Sequence, residues 1–118
     1  TVLVVEDEAI LRMLLVEALE EQGYTVLEAE NGNAALALIT LPDRIDLLVT
    51  DVGLPGINGR QLAETARSLR PDLKVLFLTG YAYAAMDKEV LGPSTELLSK
   101  PIPIDAFCSR VRRMLQIT

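Results

Sequence analysis

An α/β domain, with helices covering both faces of a parallel sheet, is the fold class that this 118-residue chain predicts. Three observations lead there. Short apolar, β-favouring runs alternate along the whole chain with segments of helical periodicity. The central runs are apolar throughout, as strands buried on both faces must be. And the run Leu47–Thr50 stops at Asp51, then enters a turn-rich stretch with Gly53, Pro55, Gly56, Asn58 and Gly59. A carboxylate is thereby placed at the carboxyl edge of a buried strand, where ligands bind in open α/β sheets. Taken alone, Asp51 reads equally well as a solvated turn residue.

The elements follow in order. Thr1–Val5 is a β-branched run ending in Glu6-Asp7-Glu8, and Ala9–Glu21 has apolar residues at 11, 14, 15, 18 and 19, the spacing of a helix with one buried face. Gly23 stands where a C-terminal cap is expected. Thr25–Ala29 is a second strand and Asn31-Gly32 the turn after it; Asn33 is the expected cap of a helix over Ala34–Thr40, closed by Pro42. Ile45–Thr50 forms the third strand. Asn58 opens a helix over Arg60–Leu69 that Pro71 stops. Lys74–Thr79 is the fourth strand. Ala82–Leu91 is a weak helix candidate before Gly92-Pro93, Glu96–Ser99 a brief fifth strand, and Pro103–Gln116 a final helix with apolar positions 104, 107, 111 and 115.

Composition bounds the function. The length suits one domain over 1–118, and 50% hydrophobic residues supply a core. Thr1 begins directly in a strand pattern without an initiator Met, which suggests a domain taken from a longer chain. A net charge of −6 argues against a nucleic-acid partner. No apolar run is long enough to span a membrane, so no membrane contact is expected. The single cysteine, Cys108, fits a reducing, cytoplasmic setting. With no histidine in the chain, any chemistry must proceed without imidazole.

What lies just beyond each strand carries that chemistry. Strand one delivers Glu6 and Asp7, strand three Asp51, strand four Thr79 and strand five Lys100. In a parallel sheet all five reach the same edge. Singly, Thr79 reads as a strand-end hydroxyl and Lys100 as a solvated cation; together with three acids they form a candidate site. Three neighbouring carboxylates repel unless a cation joins them. An all-oxygen donor set favours a hard cation, Mg²⁺ above all. A carboxylate beside Mg²⁺ and an ammonium is suited to attack a phosphorus centre.

In this order and spacing, VLVVEDE, LLVTDVGLPGING, VLFLTGYA and LLSKPI resemble the receiver domain of two-component response regulators, across essentially the whole chain. The wording is most similar to receivers at the C-terminus of hybrid histidine kinases. The resemblance implies a flavodoxin-like, doubly wound (βα)5 sandwich with strand order 2-1-3-4-5. It makes Asp51 the phosphoacceptor, and Asp7, Asp51 and the backbone carbonyl of Gly53 the Mg²⁺ ligands, with Glu6 assisting. Thr79 would bond the phosphoryl group, Lys100 would pair with it, and Lys100–Pro101 would be cis. The implied donor is a histidine kinase or histidine phosphotransfer protein. Such a domain assists its own phosphorylation and dephosphorylation, whatever enzyme the parent chain is.

Two departures bear on signalling. The position three before the lysine, often aromatic in switching receivers, is Leu97, and the fourth helix over Tyr83–Leu91 is weak. Both suit a relay that is monomeric or weakly dimeric. On the first helix, Leu11, Leu14, Leu15, Ala18 and Leu19 account for a buried face, leaving Ile10, Met13 and Val16 as a candidate docking patch beside the site. The alternatives are a phosphorylation-independent interaction module that keeps only the fold, against which the complete acid set speaks, and a haloacid-type hydrolase, which would need an acid at Gly53.

Overall fold

The computed structural model describes residues 1–42, 44–54, 56–79 and 94–116. Five parallel strands, β1 (Val2–Val5), β2 (Val26–Ala29), β3 (Leu47–Asp51), β4 (Lys74–Thr79) and β5 (Thr95–Ser99), lie in the order β2-β1-β3-β4-β5. This is the doubly wound, flavodoxin-like arrangement. Four helices are described, α1 (Ala9–Glu21), α2 (Gly32–Ile39), α3 (Gly59–Leu69) and α4 (Ile104–Gln116). The helix expected within Tyr83–Leu91 lies outside the described residues. Lys100–Pro101 is cis.

Because successive strand side chains point to opposite faces, the apolar runs feed two cores. Leu3, Val5, Leu48, Val75 and Phe77 meet Ala35, Ile39, Leu62 and Ala66 of α2 and α3 on one face. Val2, Val4, Leu47, Val49, Leu76 and Leu78 meet Leu15, Leu19, Phe107 and Val111 of α1 and α4 on the other. β1 and β3 are buried along their full length. That is why they carry no alternation.

The helix ends show local chemistry at work. α1 closes in a Schellman motif: the amide of Tyr24 donates to Leu19 O, that of Gly23 to Glu20 O, and Gly23 takes φ 93. α3 opens on a full capping box, with Asn58 Oδ1 accepting from the Gln61 amide and Gln61 Oε1 from the Asn58 amide. The cap of α2 differs from expectation. Asn31, extended at φ −155, accepts from the Ala34 amide at 2.8 Å, so the helix starts at Gly32 and Asn33 lies exposed inside it.

α1 also sits differently on the sheet than its sequence suggests. Val16 is buried at 8% exposure and belongs to the core, whereas Leu14 stands out at 45%. At 3.6 residues per turn these two occupy opposite flanks of the face centred on Leu15. Val16 shares its flank with Arg12, which reaches across to Glu28 on β2. The docking patch expected at Ile10, Met13 and Val16 therefore loses Val16. Ile10, Met13 and Leu14, exposed at 73%, 50% and 45%, form the apolar stripe on the open side.

Candidate functional site

The site is assembled by the ends of β1, β3, β4 and β5. Asp51 is the last residue of β3, in register with Leu78, and its neighbour Val52 still donates to Leu78 O. The sheet thus holds the backbone on both sides of the carboxylate. The amide of Gly53 donates to Asp51 Oδ1 at 2.8 Å. Gly59 seals the turn from below: its amide donates to Val52 O at 3.0 Å, and an added Cβ would lie 2.3 Å from Asp51 O. Only glycine lets α3 start so close to the strand end.

Glu6 follows β1, completely buried, with its amide still donating to Ala29 O. The Glu8 amide donates to its Oε1 and Lys100 Nζ to its Oε2, at 3.2 and 3.3 Å. Asp7 next to it is exposed. One carboxylate oxygen from each of Glu6, Asp7 and Asp51 falls within 4.8 Å of the others. Lys100 Nζ donates to Asp51 Oδ2 at 2.6 Å, so one ammonium bridges two of the three acids. Thr79 ends β4, fully buried, and its carbonyl accepts from the Lys100 amide at 2.7 Å. All five residues expected at this edge are there.

The electrostatics describe a negative site that one lysine does not neutralise. Burial pushes the Glu6 carboxyl up to about 7; the Glu8 amide and Lys100 pull it down, while Asp51 adds to the rise. For Lys100, burial opposes the charge, but the bond to Asp51 and the field of Glu6 outweigh it and hold the ammonium above its usual range. A carboxyl raised by burial, with Asp7 and Asp51 adding to the rise, leaves room at this edge for further positive charge. An all-oxygen set in that state fits a hard divalent cation, and Mg²⁺ retains waters in such sites.

Comparison with known proteins decides the family. The family model of the response regulator receiver domain matches residues 2–112. This chain belongs to the receiver domain family of two-component systems. It is 35% identical over 115 residues to the response regulator receiver protein CpdR of Brucella abortus, covering 97% of this chain and 95% of that protein. It is 37% identical over 118 residues to the sensor kinase CckA of the same organism, covering 98% of this chain but only 12% of that protein. Among solved structures, the response regulator TrrA of Thermotoga maritima, in complex with Mg²⁺–BeF, superposes with a TM-score of 0.82 at 33% identity over 97% of each chain. Receiver domains interact with histidine kinases or phosphotransfer proteins and bind Mg²⁺ at an acidic pocket, the place of the Glu6–Asp7–Asp51 cluster here. No helix among the described residues is long and apolar enough to cross a membrane.

Three contributors escape a reading of the sequence. The Gly53 amide on Asp51 and the close approach of Gly59 are backbone features, hidden in a stretch whose glycines signal only a turn. Arg12 donates from Nη1 to Glu6 O at 2.8 Å and from Nε to Glu28 Oε1 at 3.2 Å. Its signal was available: it is the one basic residue in AILRMLLVEALEE. Leu97, three residues before the lysine, packs half-buried against the α2–α3 core.

Proposed function

We propose that this receiver accepts a phosphoryl group on Asp51 from a phosphohistidine of a histidine kinase or histidine phosphotransfer protein. The observation that supports this most is the Asp51 carboxylate, fixed at the strand end by the Gly53 amide and met by Lys100 Nζ at 2.6 Å, with Glu6 and Asp7 beside it. An interaction module retaining only the fold has no use for a buried Glu6 and a shared lysine.

Asp7, Asp51 and the Gly53 carbonyl would hold Mg²⁺, with Glu6 assisting. When bound, the ion supplies positive charge that offsets the phosphoryl oxygens and the repulsion among the acids. An Asp51 carboxylate oxygen forms the new O–P bond as the P–N bond of the donor breaks; the departing imidazole keeps the electron pair and takes a proton from solvent. Lys100, already on Asp51, pairs with the transferred group, and the Thr79 hydroxyl donates to it. Both residues act through charge and hydrogen bonds placed in advance, the usual source of catalysis in phosphoryl transfer.

The phosphodonor helices dock on the stripe of Ile10, Met13 and Leu14, which leaves the start of α1 beside the acids open to a partner. Exposed apolar residues clustered next to a reactive group suit such a contact. Similarity to the CckA sensor kinase supports a place in a kinase-borne relay, in a cytoplasmic, monomeric or weakly dimeric domain that is part of a longer chain. Intact-mass measurement after incubation with acetyl phosphate and Mg²⁺ tests the reading. One added phosphate is expected, and none in Asp51→Asn or with EDTA; modification that persists in either would refute it.

A further inference from the structure

We propose that Arg12 is a positioning residue for the acid site, holding the carbonyl next to Asp7 so that Glu6 and Asp7 converge on Asp51. The proposal rests on the reading that these acids hold Mg²⁺. Past Val5, the last paired residue of β1, the chain leaves the sheet: the Glu6 amide still donates to Ala29 O, but the Glu6 carbonyl accepts instead from Arg12 Nη1 at 2.8 Å. The Arg12 amide donates to Glu8 O at 2.9 Å. That second bond is the first backbone bond of α1, so what the side chain itself adds is the hold on the Glu6 carbonyl, next to Asp7.

Apart from the bond of the Glu8 amide to Glu6 Oε1, the usual devices at a helix start are missing. Glu8, the N-terminal cap of α1, makes no side-chain capping bond, and the first turn of the helix carries no acid. Asp7 is exposed, so packing does not set its direction. Arg12 is itself well fixed. Its side chain is 18% exposed, and Glu28 Oε1 accepts from Nε on the far side. The planar fork lets one guanidinium satisfy both partners, which lysine cannot do. The pairing with Glu28 also balances its charge, leaving Arg12 to act on the acids through loop geometry.

The test separates geometry from charge. Mg²⁺ affinity is measured by titration calorimetry without phosphodonor, for the wild type, Arg12→Ala, Arg12→Lys and the charge-balanced pair Arg12→Ala/Glu28→Ala. Hydrogen exchange of the Glu8 amide, which donates to Glu6 Oε1, is followed in metal-free protein. Removing a residue that orients metal ligands typically weakens binding about tenfold or more. The balanced pair is expected to bind Mg²⁺ about tenfold more weakly, with faster Glu8 exchange, and Arg12→Lys to recover part of both by donating to Glu6 O without the fixed fork. Acetyl phosphate labelling should need more Mg²⁺ for half-maximal rate yet reach the wild-type limit at saturation, which a mere loss of folded protein would not produce. An affinity in the balanced pair within about twofold of wild type overturns the proposal, since no order-tenfold positioning effect would then exist, and so does tighter binding in Arg12→Ala alone, since charge would then outweigh it. A wild type that binds no Mg²⁺ overturns the metal reading instead; Glu8 exchange then still decides whether Arg12 orders the loop.

Discussion

Gly59→Ala puts the construction of the site under direct strain. The new Cβ would lie 2.3 Å from Asp51 O, 2.8 Å from Val52 Cα and 3.0 Å from the Asp51 carbonyl carbon. Comfortable separations are about 3.5 Å, so α3 and the strand end must part by roughly 1 Å. All three neighbours are backbone atoms at the end of β3 and just past it, with no rotamer to give way. Overpacking of this kind costs about 1–3 kcal/mol, and moving the helix start stretches the bond from the Gly59 amide to Val52 O, worth about 1 kcal/mol. Alanine returns at most about 1 kcal/mol in helix propensity, which leaves a net loss of about 1–3 kcal/mol. Urea unfolding midpoints measure it, with acetyl phosphate labelling scaled to the folded fraction as a second readout. Labelling should fall as well, because the displaced carbonyl belongs to Asp51 itself. Gly23→Ala is the control: its Cβ would meet nothing within 4 Å, and the loss there should be only the about 1–2 kcal/mol of a left-handed residue. A Gly59→Ala protein within about 0.5 kcal/mol of wild type and labelled normally would refute the reasoning, since that is the size of an ordinary surface change.

Other expectations concern neighbouring parts. Glu6, ordinarily near 4.5 and raised to about 7 by burial, binds more protons folded than unfolded, so its contribution is fully present below 4.5 and lost as the pH rises through 7. The shift amounts to at most about 3 kcal/mol, read as a fall in the urea midpoint of metal-free protein between pH 5 and pH 8; Glu6→Gln should lack that part of the slope, and an identical slope would contradict it. Asn31→Ala should cost about 1 kcal/mol while Asn33→Ala stays within about 0.5; the reverse order by urea unfolding would return the α2 cap to Asn33. Serine at Ile10, Met13 and Leu14 together should slow transfer from the histidine donor about tenfold by weakening an apolar anchor, with acetyl phosphate labelling unchanged. Val16→Ser should instead lower stability by about 2–3 kcal/mol, as a polar group placed in the core does. Equal behaviour of Val16 and Leu14 in both assays would undo the assignment of the flanks.

The parts of the fold legible in the sequence were those with a one-dimensional signature. Val2–Val5 and Leu47–Val49 are apolar without alternation because both faces of these strands are covered. The acids, hydroxyl and lysine were legible because parallel strands send their carboxyl ends to one edge. Whatever depended on a neighbour in space was not. Leu14 and Val16 flank Leu15 symmetrically, and only the packing of α1 across β1 and β2 makes one core and the other surface. Asn31 and Asn33 can each cap a helix, and the extended backbone at Asn31 decides between them. Arg12 reads as an ordinary surface cation until the Glu6 carbonyl is seen in front of it.

The most direct test of the account is to find the phosphorylated atom. Borohydride reduces an aspartyl phosphate to homoserine, and tryptic cleavage after Arg44 and Arg60 isolates the segment that holds both Asp46 and Asp51. Asp46 is engaged by the Thr1 amino group and Arg44 at the opposite edge of the sheet, so the two acids serve as each other's control. Homoserine is expected at position 51 alone, and only when Mg²⁺ was present during labelling. Homoserine at position 46 or at position 7, with Asp51 intact, would contradict the assignment of Asp51 as phosphoacceptor.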